Sequence, residues 1–321
     1  MHYHKDAKIY VVGHRGLVGS AICRELKKQG YTNILTQTHQ ELDLEDAKKT
    51  RAFIGDEKPD VIFLAAAKVG GIHANNTYPV DFLMQNMAIQ MNVIKSAHEA
   101  KVDRLFFLGS SCIYPKNSPQ PIKEEYLLTS ELEPTNRPYA LAKIAGIEMC
   151  WSYNRQFGTK FLAVMPTNLY GPGDSYDLEN SHVLPALIRK IHEAKEANEK
   201  TVMIWGTGTP QREFLYSDDL ANALLHLMHL DDDTYGLLVE PSNCPIINIG
   251  SGIDFKIIEL ADKVKKVIGF EGDFVFDNTK PDGTPRKLMD STKIRRLRWR
   301  PSTCLREGVS LAYNDYCNTY P

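Results

Sequence analysis

The sequence predicts an α/β fold: a Rossmann-type doubly wound parallel sheet followed by a smaller α/β domain. Three features carry that reading. A glycine-rich turn, Val11-Val-Gly13-His-Arg-Gly16-Leu-Val-Gly19, joins the first apolar strand to the first helix. Short apolar strands alternate with helical stretches through the first half, as in a sheet covered on both faces. After residue 166 the texture changes, with Gly, Pro, Asn and Asp clustered over 168–175 as in a loop at a domain junction. The expected division is 1–170 for the doubly wound domain, with later returns near 213–250, and 171–321 for the smaller one.

The elements follow in order. Lys8-Ile-Tyr-Val-Val12 is an apolar run and reads as the first strand; the glycine turn then opens a helix over 17–29. Asn33-Ile-Leu-Thr36, Asp60-Val-Ile-Phe-Leu-Ala65, Arg104-Leu-Phe-Phe-Leu108 and Phe161-Leu-Ala-Val-Met165 are further short apolar runs, hence strands. Longer helical patterns fill the gaps, notably 80–100 and 138–157. In the second half, 183–198, 218–229 and 255–268 read as helices, and 202–205 and 246–249 as strands. No internal repeat or low-complexity tract occurs.

Composition narrows the function. The chain has 321 residues, 43% hydrophobic and 24% charged, which is ordinary for a globular enzyme. A formal net charge of −2 gives no global field to attract nucleic acid or anionic membrane. The local exception, Lys293-Ile-Arg-Arg-Leu-Arg-Trp-Arg300, reads as a solvated helix face, or alternatively as a basic edge near a phosphate-bearing ligand. No apolar run reaches membrane-spanning length, and the N-terminus has no apolar signal core, so a cytoplasmic protein is expected. The six cysteines form no Cys-x-x-Cys pattern and read as reduced thiols. His226 and His229 lie three apart on an apolar helix and read as packed; no metal is expected.

Tyr139 is followed at i+4 by Lys143, and no other of the fifteen tyrosines has a lysine there. Residues i and i+4 share a helix face. A nearby ammonium favours the tyrosinate, so Lys143 is expected to lower the Tyr139 pKa and let the phenol protonate a carbonyl oxygen during reduction. Ser110, upstream at the end of a strand, offers a second hydroxyl for the same oxygen.

The glycine turn supplies the cofactor site. Glycines let backbone amides approach a pyrophosphate at a helix N-terminus, so Gly13, His14, Arg15, Gly16, Leu17, Val18 and Gly19 are expected to cradle a dinucleotide. The second strand ends in Thr36-Gln-Thr-His39 with no acid before Glu41. A carboxylate there would repel a 2′-phosphate, and Arg15 can pair with one, so NADP(H) is expected. Asp43 and Leu44 are placed at the adenine edge.

These residues together resemble the extended short-chain dehydrogenase/reductase superfamily. Longer strings are similar to the GDP-L-fucose synthase family: Leu64-Ala-Ala-Ala-Lys-Val-Gly-Gly-Ile72, Leu108-Gly-Ser-Ser-Cys-Ile-Tyr-Pro-Lys116, Met165-Pro-Thr-Asn-Leu-Tyr-Gly-Pro172, Trp205-Gly-Thr-Gly-Thr-Pro-Gln-Arg-Glu-Phe214 and Lys280-Pro-Asp-Gly-Thr-Pro-Arg-Lys287. The resemblance implies epimerisation of GDP-4-keto-6-deoxy-D-mannose at C3 and C5, then NADPH reduction at C4, in a cytosolic homodimer built on helices such as 80–100 and 138–157. It implies that Leu108, Gly109, Pro166, Thr167, Asn168 and Leu169 line the cofactor and that Lys143 holds the nicotinamide ribose. His39 stands where family members often carry arginine, which softens the expected NADP preference.

Epimerisation needs an acid and a base on opposite faces of the sugar. Cys112, two residues beyond Ser110, shares its side if the chain there is extended. His182, at the start of the next helix, is a proton donor near neutrality and is placed at the cofactor too. A bare cysteine is ordinarily packing and a bare histidine ordinarily structural; the resemblance puts both at the family's acid/base positions and leaves open which is which. Arg212 and Lys190 are expected to neutralise the diphosphate, Trp205 to offer a flat face, and Asp282 to accept hydrogen bonds from the base or ribose. The alternatives are another nucleotide-sugar 4-epimerase or 4-reductase, which needs no Cys/His pair, and a non-enzymatic NADP-sensing module.

Overall fold

The computed structural model describes residues 3–178, 181–280 and 282–320, with the backbone alone at residues 72 and 73. Met1 and His2 of the expected signal-free N-terminus, Asn180 just before His182, and Pro281 within the last quoted string lie outside the described residues. Along the chain run β1 (Ile9–Val12), α1 (Leu17–Lys28), β2 (Ile34–Leu35), α2 (Ala47–Glu57), β3 (Val61–Leu64), α3 (Ile72–Thr77), α4 (Pro79–Glu99), β4 (Arg104–Leu108), α5 (Arg137–Phe157), β5 (Lys160–Pro166), β6 (Asn168–Tyr170) and α6 (Val183–Glu196). There follow β7 (Thr201–Trp205), β8 (Gln211–Tyr216), α7 (Ser217–Met228), α8 (Asp232–Leu238), β9 (Ile246–Ile249), β10 (Asp254–Lys256), α9 (Ile257–Ile268), β11 (Asp273–Asp277), β12 (Arg286–Lys287), α10 (Thr292–Arg296) and α11 (Leu305–Thr319).

Six parallel strands make the central sheet, in the order β2-β1-β3-β4-β5-β9. Side chains of a strand alternate between faces. Ile9 and Val11 therefore join one core with Leu26 of α1 and Leu224 of α7, while Tyr10 and Val12 join another with Val93 of α4 and Ile147 of α5. Each fully buried aliphatic of this kind contributes about 1.5–3 kcal/mol. That two-sided burial is why these strands read as unbroken apolar runs. β1 has β2 on one side and β3, β4 and β5 on the other, so the chain reverses direction across the sheet at β1, and a crevice opens beyond the carboxyl ends of the strands there.

The second half forms smaller sheets. β8 pairs antiparallel with β10 and parallel with β12 and β6, while β7 pairs parallel with β11. A third core lies among α6, α9 and α11, with Ile188, Ile191, Leu260, Val264, Val309 and Tyr316 buried. Two expectations need correction. Residues 168–170, read as part of a loop, are the strand β6: the Thr167 hydroxyl and the Asn168 amide both donate to the Glu213 carbonyl, at 3.2 and 2.9 Å, and tie this turn-prone stretch to β8. The helix expected over 255–268 starts at Ile257, because Phe255 and Lys256 are paired with Arg212 and Gln211.

Candidate active site

The turn after β1 is built by sterics. Gly13 has φ +86°, and a Cβ there would sit 2.7 Å from the Ala66 nitrogen; one on Gly19 would sit 2.1 Å from the Gly13 carbonyl oxygen. These two glycines let α1 start close against the sheet. Gly16 differs: a Cβ there would meet nothing nearer than 3.6 Å, so packing does not demand glycine. Gly16 is also the N-cap of α1, and no side chain caps that end. An exposed uncapped helix start over open space fits a pyrophosphate. The His14 Nδ1 atom is buried without a hydrogen-bond partner among the described residues, a second sign of a missing polar group. Arg15 is exposed at the mouth. His39 is exposed too, with Nδ1 3.8 Å from an Asp43 oxygen, and Leu44 packs its side chain against the sheet while its carbonyl accepts from Asn92 at 2.8 Å. Glu41 accepts from the Thr38 amide and hydroxyl, which hold its pKa low with help from the Arg15 and His14 charges, so a carboxylate does stand near the expected 2′-phosphate grip.

The other side of the crevice comes from β4 and β5. Gly109 lets the Met165 side chain pack directly on the backbone: a Cβ there would lie 2.0 Å from Met165 Cε and 2.4 Å from its sulfur. Ser110 then turns the chain into a 3-10 turn over Ser111–Ile113, its hydroxyl accepting from the Cys112 amide at 3.4 Å. Cys112 is thus brought beside Ser110 by a turn, not by the extended backbone expected, because Ser110 caps the turn. Tyr139 and Lys143 lie on the first turns of α5. Lys143 is buried; its Nζ donates to the Leu108 carbonyl at 2.7 Å and lies 5.8 Å from the Tyr139 ring centroid.

The charge pattern differs from expectation in one respect. Burial pushes the Tyr139 phenol up, the Cys112 sulfur pushes it further, and only a hydrogen bond with Ser110 pulls it back. Lys143 is not among the groups that move it; its ammonium donates to the Leu108 carbonyl. Burial instead lowers Lys143 itself to about 8, with Cys112 opposing. Cys112 is buried and raised by desolvation; the Lys287 ammonium is the largest opposing influence, followed by Ser110 and Lys143. His182, the N-cap of α6, is lowered by burial and then by Lys287. At neutral pH the phenol, thiol and imidazole accordingly rest uncharged.

Lys287, unremarked in the sequence beyond closing a string, connects the parts. Its proton affinity is lowered by burial and by Arg212, and raised by Cys112 and Glu133. β12 holds it beside Arg212 in register on β8. Arg212 is lowered by burial and raised by Asp282. The Asp282 carboxylate accepts from the Thr207 amide and hydroxyl at 2.7 and 2.9 Å, which occupies part of its expected capacity for a ligand. Trp205, 47% exposed, has the Lys190 Nζ 4.7 Å and the Lys280 Nζ 5.2 Å from its ring centroid. The structure therefore links the sequence-predicted catalytic residues to Arg212 and Asp282 by a chain of neighbours through Lys287, and holds Lys190 and Trp205 together. Pro166 ends β5, Thr167 and Asn168 follow at the same edge, and Leu169 packs against the core shared with α1. His226 bonds the Leu297 carbonyl at 2.8 Å and His229 the Tyr31 hydroxyl at 2.6 Å.

The description "NAD dependent epimerase/dehydratase family" matches residues 9–244. GDP-L-fucose synthase 1 of Arabidopsis thaliana is 57% identical over 312 residues, spanning 97% of this chain and 94% of that protein. GDP-L-fucose synthase of Escherichia coli (strain K12) is 51% identical over 306 residues, 95% of each. Among solved structures, a GDP-mannoheptose C4 reductase from Campylobacter jejuni with NADP bound is 39% identical with a TM-score of 0.88, covering 98% of this chain and 99% of that one. Matches this deep, running nearly end to end, settle the kinship: the chain belongs to the NAD dependent epimerase/dehydratase family and, within it, to the GDP-L-fucose synthases.

Proposed function

We propose that this chain makes GDP-L-fucose from GDP-4-keto-6-deoxy-D-mannose, epimerising C3 and C5 and then reducing the C4 ketone with NADPH. The observation that carries the reading is the electrostatic neighbourhood of Cys112, whose sulfur is coupled at once to Tyr139, Lys143 and Lys287. A reductase needs only the phenol, hydroxyl and ammonium. A buried thiol in the same pocket, joined through Lys287 to His182, supplies proton transfer as well.

The C4 ketone acidifies the C3 and C5 hydrogens, because the resulting anion delocalises onto oxygen. Ser110 and Tyr139 donate to that oxygen. One of Cys112 and His182 takes the proton from one face and the other returns one to the opposite face. Lys287 holds positive charge beside the sulfur and favours its ionised form. NADPH, when bound by the glycine turn and by Lys143, supplies the two electrons and the hydrogen received at C4. Tyr139 then delivers a proton to the C4 oxygen. Arg212 and Lys190 neutralise the diphosphate, and Trp205 with Asp282 faces the nucleoside.

Three coarser features complete the proposal. The chain divides at about residue 170 into a cofactor domain and a substrate domain, with α7 and β9 returning to the first. It works as a homodimer, supported by an exposed apolar stripe on α4: Val80 at 68%, Met84 at 59% and Met91 at 50% exposure, with Leu141 of α5 at 41%. It works in the cytoplasm, in keeping with six free cysteines and no helix, among the described residues, long and apolar enough to cross a membrane.

The test is incubation with GDP-4-keto-6-deoxy-D-mannose and NADPH in heavy water, with the sugar identified by NMR. Formation of GDP-L-fucose labelled at C3 and C5 is expected. A C4-reduced sugar with both centres unchanged and unlabelled would reduce the reading to a 4-reductase, the activity named for the Campylobacter structure.

A further inference from the structure

A second cavity lies apart from the catalytic pocket. It is a groove of about 790 Å³ between the outer end of β8, α9, and the segment from α10 to the start of α11. Its size falls in the range of small-molecule sites. Five cations line it, Lys263, Lys266, Arg295, Arg300 and Arg306, and among the described residues no carboxylate does. Arg295 and Arg300 come from the basic run singled out in the sequence, and Arg306 and two lysines of α9 join them in space. In a chain of net charge −2, such a local concentration of one sign is a specific feature.

The groove is built rather than incidental. Asp219 of α7, 4% exposed, accepts from the Ser302 amide and hydroxyl and from the Thr303 amide at 2.8–3.1 Å, and so fixes the segment that carries Arg300 and Arg306. Its carboxylate is consumed by those bonds beneath the groove. Arg295 is held by the Ser251 carbonyl at 3.1 Å. Lys263 lies 5.0 Å from the Phe255 ring centroid, leaving that ring as an apolar wall beside the charges. The start of α11 at Cys304 has no side-chain cap, which leaves its first amides for an anion. Lys263, Lys266, Arg300 and Arg306 are all exposed at the rim.

Guanidinium groups are suited to bidentate phosphate contacts, and an aromatic wall is suited to a base. A lone phosphate would engage two or three of these cations and leave the cavity mostly unfilled. We propose that this groove is a second nucleotide site that binds a nucleoside diphosphate, separate from the sugar-modifying pocket. None of its lining residues is among those assigned to catalysis or substrate binding above, so the proposal goes beyond that function.

The test is equilibrium dialysis of the full-length chain with labelled GDP at saturating NADPH, which keeps GDP off the cofactor site. Two GDP per chain are expected. Lys266→Glu/Arg300→Glu should bind one GDP, with groove affinity down at least tenfold and with kcat and KM unchanged, which also reports correct folding. Arg212→Ala should lose activity yet keep the groove GDP, and inorganic pyrophosphate should displace it. One GDP per chain in the wild type, two in the doubly charge-reversed variant, a changed KM in that variant, or no displacement by pyrophosphate would each overturn the proposal.

Discussion

Lys143 is a cation held where a cation is costly, and that has a signature in stability. Burial takes it from the ordinary lysine value of 10.5 to about 8. Below about pH 8 it is charged in folded and unfolded chains alike, and burial of the charge opposes folding in full. Between 8 and 10.5 the unfolded chain keeps a proton that the folded chain has released, so stability rises with pH across that window. Relative to Lys143→Met, the wild type should gain on the order of 3 kcal/mol from pH 8 to 10.5. Urea unfolding at several pH values measures this, and a pH-independent difference would refute it. Tyr139→Phe should lower reduction about 10²–10⁴-fold while solvent deuterium still enters C3 and C5. Cys112→Ser and His182→Asn should do the reverse, crippling exchange by a similar factor with NADPH affinity intact by fluorescence titration; full fucose formation by either would remove it from the proposed pair. Ser110, Tyr139 and Lys143 were legible because their spacing is local: four residues on one helix, one turn after one strand. Lys287 was not, since nothing in Thr284-Pro-Arg-Lys287 distinguishes which cation faces Cys112 from 175 residues away.

The helices and strands differ in legibility for one physical reason. Strands of the central sheet are buried on both faces, so β1, β3 and β4 are visible as unbroken apolar runs. β7, Thr-Val-Met-Ile-Trp, is visible as a strand too, though it alternates exposed and buried residues, whereas β12 has two residues, both cationic, and β6 three, Asn-Leu-Tyr, too few to show a pattern. β12 and β6 exist because β8 offers partners, a tertiary cause that propensity does not contain. The α4 stripe is the element with most exposed apolar surface left over. Val80, Met84 and Met91 recur at helical spacing on one side, so Met84→Glu should convert the proposed homodimer to monomer, read by sedimentation velocity. An unchanged sedimentation coefficient, whether dimeric or monomeric at the start, would remove this face from the interface.

At the scale of the molecule, the two halves meet where the chain leaves β5. Thr167 takes its backbone bond from β9, through the Ile249 carbonyl at 3.1 Å, and its hydroxyl bond from β8. Asn168 repeats the link to the same Glu213 carbonyl. Asn168→Ala removes a bond worth about 1 kcal/mol. It should raise KM for NADPH and for the sugar nucleotide together, because groups from both sheets are aligned through this crossing; a rise confined to one substrate would argue against it. The doubly wound architecture was readable from the first half alone, but the attachment of the second half was not, since Asn-Leu-Tyr-Gly-Pro has the composition of a turn and becomes a strand only beside β8.

Strand β8 serves as a party wall. Arg212 sits at one end beside Lys287, while Phe214, Leu215 and Tyr216 floor the cationic groove at the other, four residues away at most. Sequence drift in this stretch is therefore answerable to two neighbours at once. In a saturation mutagenesis screen, positions 211–216 should tolerate far fewer replacements than the half-exposed β7, whose outward residues answer to one.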